Sequence, residues 1–244
     1  MKPSVHIALS FTGVLLLTGC GGGGSGSFSQ CTEVSFKGIT YCAVMSPYTG
    51  RTWLDRNLGA SEVCTSLDDA NCYGDYYQWG RLADGHEIPD SNKTDVLAED
   101  IANAGSAFIM SQSLPYDWVN TANNVDDDGS LRTAQWHLTD GTSVCPAGYR
   151  VPTNTELEDE LLSAQNTITN NVDAYESFLK LPSAGYRDNS DGTLHDMGKA
   201  GYVWSNTVSR DLNMSTRTEY NATDATNGPA YRALGQSVRC IQNY

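Results

Sequence analysis

The run Asn124-Val125-Asp126-Asp127-Asp128-Gly129 sets side-chain oxygens at alternate positions and a glycine at the sixth. That is the front half of an EF-hand-type calcium loop, in which alternate oxygens converge on one hard cation. The bidentate glutamate required at the twelfth position is Gln135, so a complete EF-hand is excluded. The spacing leaves an isolated calcium site at Asn124, Asp126 and Asp128, with calcium as the one cofactor the chain would take. The competing reading is a solvated acidic turn. Asp188-Asn189-Ser190-Asp191-Gly192, with Asp196 beyond it, is a second and weaker run of the same kind.

Catalytic chemistry has little support. The chain has no G-x-S-x-G elbow, no H-E-x-x-H and no P-loop. Gly21, Gly23 and Gly26 satisfy G-x-G-x-x-G only because the segment is nearly all glycine. Nothing in the spacing of His86, His137 and His195 assembles a site. Glu156, Glu158 and Glu160 share one helix start, where Glu156 reads as a cap. No catalytic residue is assigned, and the chain reads as a non-enzyme.

Trp53, Trp79 and Trp204 fall in strand-like segments and read first as core, with a ligand-stacking surface as the alternative. Thirteen Tyr and five Trp supply flat, amphipathic contact area. Arg56, Arg81, Arg150, Arg187 and Arg239 recur through an acidic chain of formal charge −14. They read as structural, forking onto carboxylates or loop carbonyls. So acidic a protein repels nucleic acid and anionic lipid. Its 39% hydrophobic and 18% charged residues are those of a globular chain.

Seven cysteines are present. Cys20 aside, Cys31, Cys42, Cys64, Cys72, Cys145 and Cys240 form an even set. In an exported protein such a set reads as disulfides. Six cysteines allow 15 pairings; spacing favours Cys31–Cys42, Cys64–Cys72 and Cys145–Cys240. Without a C-x-x-C pair, zinc is a poor fit.

Short strands are expected at Thr40 to Val44, Thr52 to Leu54, Tyr202 to Trp204 and Ser237 to Ile241. A hairpin should turn at Lys37-Gly38, and a second turn at Pro47 to Gly50. Thr153 and Glu156 form a capping box. Leu157, Leu161, Leu162, Ala164 and Ile168 then keep one helical face. A short helix over Val172 to Leu179 and a weaker one over Asp95 to Met110 complete the elements. The rest is rich in Gly, Asn, Asp and Ser, so long loops are expected.

At the other end, Lys2 precedes an apolar run, Ile7 to Leu17, far short of the roughly 20 residues a membrane span needs. Leu17-Thr18-Gly19-Cys20 resembles the lipobox of bacterial lipoproteins, which implies cleavage before Cys20 and lipidation of its thiol. Residues 1–19 then read as signal peptide and 20–30 as a lipidated cysteine on a flexible Gly/Ser tether. Gly21, where Asp commonly means inner-membrane retention, implies the outer membrane. The membrane is thus a partner through the anchor.

Thr52-Trp53-Leu54-Asp55-Arg56-Asn57-Leu58-Gly59 and Tyr73 through Arg81 resemble the opening motifs of the Fibrobacter succinogenes major paralogous domain (FISUMP). Cys145 through Thr153 with Glu156, Leu181 through Arg187, Gly201 through Ser205, and Ser237 through Cys240 follow in that family's order. The resemblance spans residues 31–244 and implies an exported, surface-attached domain. Arg150-Val151-Pro152-Thr153 before Glu156 is also similar to the helix start of formylglycine-generating-enzyme-like domains. Those share the C-type-lectin-like architecture, in which a cysteine near the first helix pairs with one near the last strand. Cys145 and Cys240 suit that arrangement. The expectation is an α+β, C-type-lectin-like domain of residues 31–244. It would bind a glycan, peptide or surface protein in adhesion or surface assembly. An enzyme acting on polysaccharide and a structural envelope component are the alternatives.

Overall fold

Lys37 and Gly38 both take positive φ, 47° and 79°, the geometry of a two-residue hairpin loop. They join β1 (Thr32–Phe36) to β2 (Ile39–Met45) in antiparallel register, Phe36 opposite Ile39 and Thr32 opposite Ala43. The computed structural model describes residues 31–123, 126–211 and 213–244. The leader, Cys20, the Gly/Ser tether and Asn124 lie outside them. Residues Cys31–Tyr244 form one compact unit. No helix among the described residues is long and apolar enough to cross a membrane.

After the hairpin come β3 (Thr52–Leu54) and three two-residue strands, β4 (Tyr77–Gln78), β5 (Lys93–Thr94) and β6 (Phe108–Ile109). Then follow α1 (Ser130–His137), β7 (Tyr149–Arg150), α2 (Asn154–Leu161), the hairpin of β8 (Leu162–Ser163) and β9 (Asn166–Thr167), and α3 (Asn171–Glu176). The C-terminal part holds β10 (Tyr186–Arg187), β11 (Leu194–His195), β12 (Gly201–Val208), β13 (Met214–Tyr220), β14 (Ala225–Tyr231), β15 (Gly235–Gln236) and β16 (Ile241–Gln242). The architecture is α+β, mostly strand with few short helices.

Three sheets carry the domain. One orders as β1-β2-β3-β16-β7, so the last strand sits between β3 and β7. A second orders as β11-β10-β15-β4, and the third is the meander β12-β13-β14. The disulfides are Cys31–Cys42, Cys64–Cys72 and Cys145–Cys240, the pairing that spacing favours. Cys31–Cys42 ties β1 to β2. Cys145–Cys240, with a sequence separation of 95, closes a loop worth about 4–5 kcal/mol in the chain-entropy account.

The capping box forms as expected: Thr153 accepts from Glu156 N, and Glu156 reaches back to Thr153 N. The apolar face does not continue to Ile168 as helix, however. Asn166 donates to the Glu160 carbonyl at 2.6 Å, and Ile168 N donates to Leu161 O at 2.9 Å. These bonds cap α2 at Leu161 and reverse the chain through β8 and β9, bringing Ile168 back beside Leu157 and Leu161. The second helix is also shorter than expected. Asn170 caps it by accepting from Val172 N and Asp173 N, and it ends at Glu176.

Residues 95–110 form no helix. Asp100 accepts from Ala102 N and Asn103 N, competing locally with helical bonds. Gly105 sits at a φ of 80°. The carbonyls of Ala104, Gly105 and Ala107, which a helix would use itself, accept instead from Arg81. Ser237 to Ile241 is also not one strand; β15 and β16 flank it, and its carbonyls serve the loop after β3. Val238 O and Cys240 O accept from Leu58 N and Leu54 N.

All five tryptophans are fully buried, which removes them as a ligand-stacking surface. Each indole N–H donates to an acceptor: Trp53 to Glu160, Trp79 to Ser205 O, Trp118 to Trp79 O, Trp136 to Arg81 O and Trp204 to Tyr77 O. The arginines behave alike. Arg187 donates to the carbonyls of His86, Ile88, Ser91 and Gly192. Arg239 donates to Leu54 O, Leu179 O and the Asn57 side chain. Arg132 and Arg232, not singled out by the sequence motifs, share the buried Asp117 carboxylate. Both stack on Trp79, at 5.4 and 4.9 Å.

Removing Arg132 leaves Asp117 and Asp126 buried with much of their pairing lost. Arg132→Met should therefore cost about 3–5 kcal/mol, read from the denaturation midpoint. Arg51→Met breaks only the exposed pair with Asp159 and should cost no more than about 1 kcal/mol. Equal losses in the two variants would contradict this ranking.

Candidate functional site

Tyr186 ends the buried Leu181 to Gly185 segment and opens β10, where alternation along a strand turns successive side chains to opposite faces. Arg187 faces inward and is clamped among loop carbonyls, so Tyr186 faces out. It meets Tyr202 of β12 edge-on, ring centroids 5.2 Å apart, and His195 of β11 in a stack at 5.6 Å. Tyr231 of β14 packs on Tyr116 at 4.6 Å. Tyr186, Tyr202 and Tyr231 line one open concavity of about 350 Å³. Met214 and Arg217 of β13 and Pro229 of β14 complete its walls, and Asp188 and Asn189 stand at its rim.

The polar groups there are held in place. Arg217 lies 4.8 Å over the Tyr202 ring and donates through Nε to Glu219 at 2.9 Å. The Tyr202 hydroxyl donates to Asp196 at 3.1 Å. Asn189 exchanges hydrogen bonds with Ser111, its side chain donating to Ser111 O and its carbonyl accepting from Ser111 N, both at 2.7 Å. Burial raises the Tyr202 phenol, and the Asp196 charge adds to this. Burial likewise raises Tyr186. Both phenols stay protonated, as neutral hydrogen-bonding groups on apolar rings. This is a surface for stacking a flat or ring-shaped polar ligand.

The acidic runs are used otherwise than as cation loops. Asp126 is buried. Its Oδ1 accepts from Leu131 N at 2.7 Å, and its Oδ2 accepts from Arg132 N and Nε at 3.1 and 2.8 Å. It fastens the start of α1, a helix the acidic-turn reading leaves out, and its charge is matched by Arg132. Asp128 accepts from Ser130 N. In the second run, Asp188 and Asp191 accept from Ser190 N and Thr193 N, closing the turns that set Asp188 and Asn189 at the concavity. Nothing in the spacing of Tyr186, Tyr202 and Tyr231 groups them; the abundance of tyrosine is the one signal.

The histidines keep separate company. His137 contacts Asn206, and His195 contacts Thr193 and Tyr186. His86 lies with Asp84 and Glu87, close enough together to hold a metal ion. Its donors are spent, however. Nε2 accepts from Gln78 N at 3.0 Å, so Nδ1 carries the proton and donates to Asp84 at 2.7 Å. The cluster pins the 84–91 loop onto β4. Glu156 is also structural. Partial burial alone would raise its carboxyl, but hydrogen bonds from Arg150, at 2.7 Å to each oxygen, and from Thr153 bring it to about 2. Its role is the cap.

Comparison with family models, with curated proteins and with solved structures gives no match for this chain.

Two groups make stability depend on pH with opposite signs. Burial pushes His86 from 6.5 down to about 4, against the pull of Asp84. The stability from keeping it neutral is present above pH 6.5 and lost as pH falls toward 4. Burial, then the Glu87 charge, push Asp75 from 3.8 up to about 6; its penalty grows as pH rises through that range. The two nearly offset each other, so the denaturation midpoint should be flat between about pH 4.5 and 6. Below pH 4.5 the stability from Glu156 is also lost, toward pH 2. In Asp75→Asn stability should instead climb with pH across the same window, by as much as about 2 kcal/mol from His86. A variant as flat as the parent would show that His86 is not held neutral.

Proposed function

We propose that this domain is a binding module that takes a glycan at the Tyr186, Tyr202 and Tyr231 concavity. The observation that carries the reading is the gathering of three tyrosines and a fixed arginine in one shallow, open cavity. Every tryptophan is meanwhile withdrawn into the core. Rings of this kind stack on the apolar face of a sugar, while Arg217, Asn189 and the phenols offer hydrogen bonds. The groups there bind and orient; none is a nucleophile paired with a base.

The fold reading that accompanies it is C-type-lectin-like, within the FISUMP resemblance. Its supports are the Cys145–Cys240 bridge, which ties the segment ahead of α2 to the final strand, and the seating of β16 between β3 and β7. The proposed location is the outer membrane, through lipidated Cys20 and the Gly/Ser tether. Three disulfides support export. The tether would leave the binding face free to sample its surroundings.

A glycan array run with and without chelator tests the binding reading. The protein should bind a subset of glycans, and chelator should leave binding unchanged, because Asp126 is committed to Arg132 and α1. Tyr202→Ala should weaken binding at least tenfold, about 1.4 kcal/mol, with the denaturation midpoint retained to within about 1–2 kcal/mol. Absence of glycan binding, or unaltered binding in the variant, would sink this reading; binding to peptides alone would replace it. Mass spectrometry of the mature N-terminus should find a diacylglycerol-modified Cys20, and an unmodified cysteine there would refute the anchor.

A further inference from the structure

A second, narrower cavity of about 160 Å³ opens beside the β1–β2 turn, far in sequence from the tyrosine concavity and sharing no residue with it. Phe36, Ile39 and Leu58 form its apolar wall. Asp75, Tyr77 and Tyr41 bring polar oxygens to it. The Tyr77 hydroxyl stands 3.5 Å from Asp75 Oδ2, and the Tyr41 hydroxyl accepts from Gly59 N at 3.0 Å. Gly59 is also where the Asp75 carboxylate packs. A Cβ there would stand 2.2 Å from the carboxyl carbon, and the backbone has a φ of 81°, so only glycine admits the carboxylate this closely. Three oxygens thus collect around one glycine at the base of an apolar wall.

The carboxylate is placed at a cost that the Tyr77 hydroxyl and the more distant Lys37 charge offset only in part. Among the described residues it makes no ion pair within 4.0 Å. Glu156 and Asp55 each hold an arginine, and buried Glu160 takes donors from Ser46, Thr49 and Trp53; Asp75 has neither arrangement. Lys37 is at the cavity's rim, but its ammonium lies over the Phe36 ring at 5.5 Å. That position shows that the aromatic edge of the cavity accepts a cation. A carboxylate half-withdrawn from water, with Lys37 over Phe36 and not in direct contact with it, has room for a cation at contact distance.

We propose that this cavity binds an alkylammonium group. The protonated amine sits on Asp75 and the two phenol oxygens, and its methylenes lie along Phe36, Ile39 and Leu58. An ammonium has three donors to match three oxygens. The cavity has room for a short unbranched chain. The amine belongs to a lysine side chain of a partner or to a free polyamine; the recognition chemistry is the same. This site is independent of the glycan reading.

The test titrates n-butylammonium into the protein at pH 7.5 and follows the Asp75 carboxyl and Tyr77 ring by NMR. Saturable binding with a Kd on the order of 1 mM is expected. 1-Butanol, alike in shape but uncharged, should bind at least tenfold more weakly. Asp75→Asn should also lose at least tenfold without lowering the denaturation midpoint, since it removes a charge the fold does not favour. Equal binding of the alcohol, or undiminished affinity in Asp75→Asn, would overturn the proposal. Tyr202→Ala should leave butylammonium affinity unchanged, which separates this site from the tyrosine concavity; loss in that variant would count against an independent site. Spermidine and an Nα-acetyl-lysine amide form two further arms, and the tighter of them identifies the source of the amine.

Discussion

The fold depends on buried guanidinium groups donating to the carbonyls of irregular backbone. A buried peptide carbonyl without a partner costs about 1–3 kcal/mol, and helices and sheets exist largely to avoid that cost. This domain has long segments with neither. Arg81 covers three carbonyls of residues 104–107, Arg187 four across residues 86–91 and 192, and Arg239 two from distant segments. Five indole N–H groups add one acceptor each. An arginine brings five donors in a fixed planar fork and does not lose its charge on burial, which lysine could do. Asp117 and Asp126, which balance the buried Arg132 and Arg232, are themselves fully engaged.

The same clamps shape the tyrosine concavity. Arg187 anchors the inner side of β10 while its neighbour Tyr186 faces the concavity, and Asn189 locks the rim to Ser111. A ligand meeting that surface finds rings and polar groups already ordered, so less conformational entropy is lost on binding. The acidic turns serve the same end. Asp126 and Asp188 resemble cation ligands in spacing, yet each closes its own local turn or cap with backbone N–H donors.

Local chemistry was readable from the chain, and long-range closure, the Cys145–Cys240 bridge apart, was not. The Lys37-Gly38 turn, the Thr153–Glu156 box and the three cysteine pairs depend on near neighbours or on parity, and all appear in the structure. The structural role of Arg56, Arg81, Arg150, Arg187 and Arg239 was legible because so many arginines stand within motifs of an acidic chain. Residues 95–110 misled because the donors to their carbonyls lie on Arg81, outside any periodicity window. The end of α2 misled because Asn166 caps it from beyond the apolar pattern. The tyrosine concavity draws on β10, β12, β13 and β14, whose adjacency is a property of the assembled sheets.

Hydrogen exchange at single-residue resolution tests the role of the arginine clamps most directly. The informative amides are Ala98, Phe108, Met110 and Ser111, whose bonds lie in the irregular region around Arg81 and Asn189. If the clamps hold these loops as part of the core, their opening free energies equal that of global unfolding. Exchange through local openings several kcal/mol below the global value, as in ordinary surface loops, would contradict the account.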